Sequence, residues 1–217
     1  MKRSRNITLE AFTRVELLVV LGVIALMVAL VLPGMARAKQ KTKRMQCTQN
    51  LKQLGMSFRT WVIDNGAELS AGASTNREAA LGRITSGEAY RHFQVLSNEL
   101  GDPKLLVCPA DTRVPAKDLG PGFSNANLSY FVGLDAKETY PSMFLYGDRN
   151  LTNGLPIREG ILYLPPDRPV GWTRELHDRQ GNVALADGSV QGWTSSRLSD
   201  GMVGPPAMGM TNRLAMP

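Results

Sequence analysis

From Leu17 to Ala36 the chain carries twenty consecutive residues without a formal charge. As an α-helix, which rises about 1.5 Å per residue, this run is roughly 30 Å long and matches the hydrocarbon core of a bilayer. Within 217 residues, such a run leaves room for one globular domain behind it. The sequence therefore predicts a membrane-spanning helix followed by a single domain.

The basic residues lie on both sides of the apolar run. The net charge is +6, yet residues 1–14 carry +3 and residues 37–44 carry +5, so the rest of the chain is slightly acidic. A nucleic-acid-binding domain carries its basic excess across a folded surface, so this distribution favours a membrane partner and no nucleic acid. Because both flanks are positive, charge does not decide the orientation of the helix.

Three interpretations of the amino-terminal segment are open. A secretory signal peptide would be cut after Ala38, a plain anchor would stay uncut, and a processed membrane helix would be cut before the apolar run. Glu16 favours the third, because a carboxylate costs about 2.5–3.5 kcal/mol at the bilayer centre and the other two need none there. After processing, Glu16 can pair with the new α-ammonium group of a neighbouring chain and fix the register between subunits.

The segment Ala11-Phe12-Thr13-Arg14-Val15-Glu16-Leu17-Leu18 resembles the type III signal of type IV pilins and type II secretion pseudopilins. The resemblance implies that a prepilin peptidase cuts between Ala11 and Phe12 and N-methylates Phe12. Glu16 is then the fifth mature residue, and Pro33 occupies a position where the family commonly carries a helix-bending proline. Ala11 departs from the family's usual glycine at the cut, and Arg14-Val15 replaces Leu-Ile.

Location and partners follow from the same resemblance. In this family the leader is cytoplasmic, the helix lies in the inner membrane, and the globular domain lies in the periplasm or outside the cell. The implied function is a structural subunit of a pilus-like or pseudopilus filament, with Phe12, Glu16 and Pro33 as assembly residues. The implied partners are the inner membrane, prepilin peptidase and other pilin or pseudopilin subunits. The rival interpretation is a membrane-tethered periplasmic or extracellular binding module that does not polymerise.

The remaining chain predicts an α+β fold, pilin-like, in which the long helix packs on a small, mostly antiparallel sheet with long loops. Spacings of 4, 3, 4 and 3 residues define one apolar helical stripe, formed by Cys47, Leu51, Leu54, Phe58 and Trp61. Further predicted elements are a helix over 86–100 and strands over 105–109, 128–132, 143–146, 161–164, 183–186 and 189–193. The predicted segments are a leader (1–11), the transmembrane assembly helix (12–36), its amphipathic continuation (37–66), the globular domain (67–200) and a flexible tail (201–217).

Cys47 and Cys108 are candidates for a disulfide if the domain lies in an oxidising space; otherwise both are small buried hydrophobic residues. His177, nine further residues and Asp187-Gly188 resemble the H-x9-DG motif of a large family of pilin-like proteins. We interpret its members as structural: Asp187-Gly188 as a hairpin turn, and His177 as a residue that bonds to the backbone or packs under the hairpin.

Metal and enzyme sites find little support in the sequence. Two cysteines with His92 and His177 make a four-ligand zinc site only if all four converge. Calcium is an alternative suggested by some pseudopilins, with loop oxygen donors at Asp148, Asn150, Asp167, Asp178 and Asp187, but no D-x-D-x-D-G spacing occurs. Glu175, His177, Asp178 and Asp187 have no nucleophile or oxyanion device beside them, so we expect no enzyme and no cofactor.

Overall fold

The computed structural model describes residues 13–65, 87–137, 139–165, 168–201 and 212–217. The chain divides into two compact units, residues 1–41 and residues 42–217. The predicted cleavage site between Ala11 and Phe12 lies outside the described residues.

The first unit contains the beginning of helix α1, which runs from Arg14 to Asn65 and continues through Pro33. Its start is a capping box: the Glu16 carboxylate accepts from the backbone N–H and the hydroxyl of Thr13, both at 2.8 Å, and the Glu16 N–H donates to Thr13 Oγ1. The large apolar side chains between Val15 and Met35 are 46–72% exposed. By length and composition, α1 can cross a membrane.

In the second unit, the later part of α1 buries the predicted apolar stripe. Cys47, Leu51, Leu54 and Phe58 are completely buried, and Trp61 is nearly so. They join one hydrophobic cluster with residues of the sheet and of two short helices, α2 (Ala89–Val95) and α3 (Ser97–Leu100). The stripe prediction is confirmed, and the helix predicted over 86–100 is divided in two at Leu96.

The described residues of the second unit form eight strands: β1 (Tyr130–Gly133), β2 (Phe144–Asp148), β3 (Leu151–Thr152), β4 (Ile161–Leu164), β5 (Gly171–Trp172), β6 (Gln180–Leu185), β7 (Val190–Thr194) and β8 (Asn212–Ala215). Six of them make an antiparallel sheet with the strand order β4-β8-β1-β2-β6-β7. The other two, β3 and β5, pair as a two-stranded ribbon. The α+β class and the antiparallel sheet are confirmed.

Apolar side chains cover both faces of this sheet. One face carries the cluster shared with α1, while a second cluster contains Phe131, Phe144 and Leu214 together with Trp172 of β5 and Leu198 of helix α4 (Ser195–Gly201). The central strands β1 and β2 are therefore buried on both sides, which is why they begin as continuous apolar runs rather than as alternating ones.

Two predictions about local structure are wrong. Residues 105–109, predicted as a strand, form the end of a 3₁₀ helix at Pro103–Leu106 and the irregular segment after it. The helix forms because the Asp102 side chain accepts from the Lys104 N–H and because proline favours the first turn. The predicted flexible tail contains β8, which lies between β1 and β4. Four residues beside a Gly- and Met-rich stretch give too short a pattern to predict a strand, and only the pairing partners reveal it.

The predicted hairpin at Asp187-Gly188 is present between β6 and β7, with a four-residue loop over 186–189 rather than a two-residue one. Asp187 accepts from the Ser189 N–H at 2.8 Å, and Gly188 has a φ of +86°, which favours glycine. The Arg59 guanidinium of α1 donates to the Ala186 carbonyl and occupies the space that a Cβ at Gly188 would need. The turn is therefore tied to the helix.

His92 is the histidine of the hydrophobic core. Its ring is completely buried among Phe58, Phe93 and Tyr146, and its Nε2 lies 2.5 Å from the Tyr146 hydroxyl. Burial lowers the pKa of His92 to about 3 from its ordinary value of 6.5. The ring is therefore neutral in the folded protein at neutral and mildly acidic pH.

We predict that Leu214→Ala lowers the free energy of unfolding by about 2–5 kcal/mol, because Leu214 is fully buried in β8. Denaturant titration of the full chain in detergent, followed by near-ultraviolet circular dichroism, measures the change. Leu155→Ala is the matched control, since Leu155 lies exposed in a loop, and it should cost less than about 0.5 kcal/mol. Equal effects of the two substitutions would show that β8 is not part of the folded core.

We also predict that His92 makes the protein less stable in acid. Below about pH 6.5, His92 is protonated in the unfolded chain, whereas in the folded protein it stays neutral down to about pH 3. Titration of His92 therefore leaves the free energy of unfolding unchanged above pH 6.5 and lowers it by about 1.4 kcal/mol for each pH unit between pH 6.5 and pH 3. His92→Gln should remove about this slope between pH 6 and pH 4, whereas Tyr146→Phe, which removes the hydroxyl partner and keeps the imidazole, should retain it.

Candidate functional site

Four side chains from four separate segments meet at the start of β6. They are Cys47 of α1, Cys108 after the 3₁₀ turn, Asp148 at the end of β2 and His177 in the loop before β6. Their ligand-type atoms all lie within 4.8 Å of one another, and Cys47 and Cys108 form a disulfide. We call these four residues the disulfide cluster.

Regular secondary structure positions Cys47 and Asp148. Cys47 belongs to the buried stripe of α1, and Asp148 ends β2, which pairs with β6 so that Gly147 lies opposite Val183. The Asp148 carboxylate thereby reaches Asn182: its Oδ2 accepts from the Asn182 backbone N–H at 2.8 Å and from the side-chain Nδ2 at 2.9 Å. A buried strand end thus positions the carboxylate.

His177 is positioned by an irregular loop. Asn150 holds the start of the loop, since its carbonyl accepts from the Thr173 N–H and its side chain donates to the Thr173 and Gln180 carbonyls. Asp178 and Arg179 then adopt φ values of +49° and +62°, a left-handed conformation that is uncommon for residues other than glycine. Two such residues in succession directly after His177 direct the chain into β6.

The imidazole of His177 contacts both other parts of the cluster. Its Nε2 lies 3.3 Å from Cys108 Sγ and 3.5 Å from Asp148 Oδ2. The Asp148 side chain is completely buried, and its Oδ1 has no hydrogen-bond partner among the described residues. An unpaired buried carboxylate oxygen is costly to desolvate, so this atom needs an explanation.

Burial shifts both titratable groups of the cluster toward their neutral forms. It raises the pKa of Asp148 to about 7, although the Asn182 donors and the nearby Arg44 charge oppose this. It lowers the pKa of His177 to about 4, with a further contribution from Arg44. Burial therefore acts against a charged imidazole paired with a charged carboxylate at this contact.

Arg44 supplies the positive charge beside the cluster. Its guanidinium donates to Asn182 Oδ1, to the Gly181 carbonyl and to the Gln180 side chain. Thr48 donates to the same Asn182 oxygen at 3.2 Å. Burial lowers the pKa of Arg44, with the Asp148 charge opposing it, but an arginine stays charged. Asn182 therefore bridges a fixed cation and the Asp148 carboxyl group.

A second ion-pair network holds the segment that carries Cys108. Arg149 forms a two-pronged bond to Asp111, at 2.8 and 3.0 Å, and a third bond to Glu175 at 2.7 Å. Burial opposes ionisation of Asp111, but bonds from Arg149 and Ser129 keep its pKa below the ordinary value. Because Arg149 follows Asp148 and Glu175 precedes His177 by two residues, this network braces three of the four segments of the cluster.

The structure separates the members of the H-x9-DG motif. His177 lies before β6 and Asp187-Gly188 lies after it, so a six-residue strand about 20 Å long runs between them. The sequence predicted a backbone partner or a place under the hairpin for His177, whereas the structure gives it Cys108 and Asp148 as neighbours. The two halves of the motif fix opposite ends of one strand.

The candidate calcium ligands do not converge among the described residues. Asp148 is buried in the disulfide cluster, Asp178 is exposed, and Asp187 lies in the hairpin turn beyond the far end of β6. The Asn150 amide donates to two carbonyl groups at the ends of the loop before β6. Asp167 lies outside the described residues. Strand β6 also separates Asp187 from His177 and Glu175, so these members of the acid–base group considered from the sequence do not meet.

Sequence reasoning missed the convergence of His177 and Asp148 on the cysteines, and the roles of Asn182 and Arg44. One signal was present: Asp148 lies two residues after the predicted strand 143–146, close enough to a buried strand for its carboxyl group to need a partner. Nothing in the sequence showed which partner, because the four segments are brought together only by the sheet. Chemically, the cluster offers a disulfide, or two thiols after reduction, beside an imidazole and a carboxyl group.

Comparison with models of protein families, with characterised proteins and with solved structures returns no match for this chain.

We predict that Cys47→Ala/Cys108→Ala lowers the free energy of unfolding by about 4 kcal/mol, because the disulfide closes a loop between residues 61 positions apart. Denaturant titration of the full chain in detergent measures the loss. Reduction of the unaltered protein should reproduce it, and reduction of the double variant should change nothing further. Unfolding of both proteins at the same denaturant concentration would contradict the prediction.

Proposed function

We propose that the protein is a membrane-anchored structural subunit of a type IV pilus-like or type II secretion pseudopilus filament. The observation that carries the proposal is an acidic residue, Glu16, directly before the apolar part of the helix. The next acidic residue in the sequence is Asp64. Between these two carboxylates every charge on the helix is positive. The α+β domain behind the helix is compatible with a pilin-like subunit.

The exposed side chains between Val15 and Met35 need a covering. Within the described residues of the first unit, all of these large apolar side chains stay accessible, and contact of such a surface with water is strongly unfavourable. Lipid covers the helix in the membrane, and equivalent helices of neighbouring subunits would cover it in a filament core. Repetition of one such head-to-tail contact produces an open helical assembly.

The capping box gives Glu16 a local role that competes with the proposed one. Its carboxylate accepts from Thr13 and satisfies helix-start donors without any neighbouring chain. Glutamine at the third helical position can also serve in a capping box, so the local role requires an acceptor oxygen and no charge. Pairing with the α-ammonium group of another subunit requires the charge. The two roles are therefore separable by substitution.

Processing and orientation complete the proposal. A prepilin peptidase would cut between Ala11 and Phe12 on the cytoplasmic side and methylate Phe12. The helix would then lie in the inner membrane, with residues 42–217 in the periplasm or outside the cell. An oxidising space is compatible with the Cys47–Cys108 disulfide.

We predict that Glu16→Gln preserves membrane insertion and abolishes filament assembly, since it keeps the cap and removes the charge. The measurements are membrane fractionation, and cross-linking of the native envelope to detect ladders of subunits. Thr13→Ala is the matched control: it removes the hydroxyl of the cap, which costs about 1 kcal/mol of helix stability, and should leave assembly intact. Normal ladders from Glu16→Gln would reject the assembly role and favour the membrane-tethered binding module.

Intact mass and amino-terminal sequencing of the membrane-extracted protein test the processing step. The expected first residue is N-methylated Phe12. A chain that begins at Lys39 would identify a secretory signal peptide, and a chain that retains residues 1–11 would identify a plain anchor. Either result would overturn the proposed processing.

A further inference from the structure

We propose that the disulfide cluster, once reduced, binds one Zn²⁺ ion through Cys47, Cys108, Asp148 and His177. The oxidised form is the disulfide present in the structure, and the reduced form is a tetrahedral metal site built from the same residues. The proposal does not depend on filament assembly, because all four ligands and their supporting residues belong to residues 42–217.

The geometry of the cluster is close to that of a zinc site. Ligand-to-metal distances of about 2.0–2.3 Å place the donor atoms of a tetrahedral zinc site roughly 3.3–3.8 Å apart. One donor atom from each of the four side chains lies within 4.8 Å of the other three, and His177 Nε2 is already 3.3 Å from Cys108 Sγ. Cleavage of the S–S bond frees the two sulfur atoms to move apart around an ion.

The unpartnered oxygen of Asp148 is an independent indication of a ligand. Oδ2 is held by two donors from Asn182, whereas Oδ1 is buried without a partner among the described residues. Metal-ligating carboxylates are commonly oriented in this way by hydrogen bonds from residues behind them. Asn182 would thus hold the carboxylate, and a bound ion would satisfy its free oxygen.

The charges also balance. Two thiolates and one carboxylate carry three negative charges, and Zn²⁺ with the Arg44 guanidinium carries three positive ones. Arg44 is held beside the cluster by Asn182, Gly181 and Gln180. A buried site of zero net charge avoids the large cost of desolvating an uncompensated ion.

The donor set selects the class of metal. Two sulfurs, one imidazole nitrogen and one carboxylate oxygen suit Zn²⁺ and Co²⁺, which accept tetrahedral sulfur and nitrogen ligands. Calcium requires six to eight oxygen ligands, which this cluster does not offer. The proposed ion is therefore of a different class from the calcium considered from the sequence.

The chemistry proceeds in two balanced stages. A dithiol reductant exchanges twice with the disulfide, so that the reductant becomes a disulfide and its two electrons and two protons pass to Cys47 and Cys108. Binding of Zn²⁺ then forms two Zn–S bonds, one bond to His177 and one to Asp148, and it releases both thiol protons together with the Asp148 proton wherever that group is protonated. Because the sulfur atoms cannot be joined to each other and ligate zinc at once, the disulfide and the metal exclude one another.

We predict that the reduced full chain in detergent binds one Co²⁺ or Zn²⁺ per molecule and that the oxidised chain binds none. Reduction uses a water-soluble phosphine, which is removed before the metal is added without oxygen. Co²⁺ should give a sulfur-to-cobalt charge-transfer band in the near ultraviolet and the visible bands of tetrahedral coordination. Zn²⁺ should abolish these bands, and competition with a chelator gives its affinity.

Substitutions separate the four-ligand site from simple binding by two thiols. His177→Ala and Asp148→Asn should each weaken zinc binding at least about tenfold. Asp178→Asn is the matched control, because Asp178 is exposed next to His177 and asparagine tolerates its left-handed backbone; zinc affinity should be unchanged. Cys47→Ser/Cys108→Ser should abolish the charge-transfer band.

Several results would overturn the proposal. One is the absence of metal binding by the reduced, folded chain. Another is an affinity that His177→Ala and Asp148→Asn leave unchanged, which would assign binding to the two thiols alone. Reduction by itself could unfold the domain, and circular dichroism detects this. In that case Zn²⁺ should restore the native spectrum. A chain that stays unfolded in excess Zn²⁺ would also refute the site.

Discussion

Burial of one side of helix α1 is the constraint on which the second unit depends. The stripe from Cys47 to Trp61 supplies a large part of the core that the sheet shares with α2 and α3. An isolated amphipathic helix is marginal in water, so this segment is stable because the sheet covers it, and the sheet in turn is covered by the helix. Arg44 at one end of β6 and Arg59 at the other bond to the β6–β7 hairpin, which adds polar contacts to the apolar contact.

The same packing produces the disulfide cluster. Cys47 faces the core because it belongs to the apolar stripe. Arg44, one helical turn before it, donates a hydrogen bond to Asn182. The strand pairing of β2 with β6 then places Asp148 beside the sulfur atoms. Buried polar groups are tolerated here because most have partners, and the unpartnered Asp148 Oδ1 is the atom that prompts the zinc proposal.

Particular residues show where sequence reasoning succeeds. The helical stripe followed from the spacing of five apolar residues, because an α-helix returns to the same face every three or four positions. Strands around Phe144, Ile161 and Val183 followed from short apolar runs bounded by turn residues. Strand β8 was missed, because Asn212–Ala215 has no pattern of its own and owes its structure to β1 and β4. The 3₁₀ turn at Pro103 was missed because a local cap outweighed β propensity.

The sequence by itself determined the apolar amino-terminal helix, its single acid at the start, the amphipathic continuation and the α+β class, since each depends on residues near one another along the chain. The tertiary structure decided that β8 lies inside the sheet, that His177 and Asp187 lie at opposite ends of β6, and that His177 and Asp148 meet the two cysteines. These outcomes depend on strand order and pairing between distant segments. Their physical reason is the shared burial of a complete core, which no local pattern of residues contains.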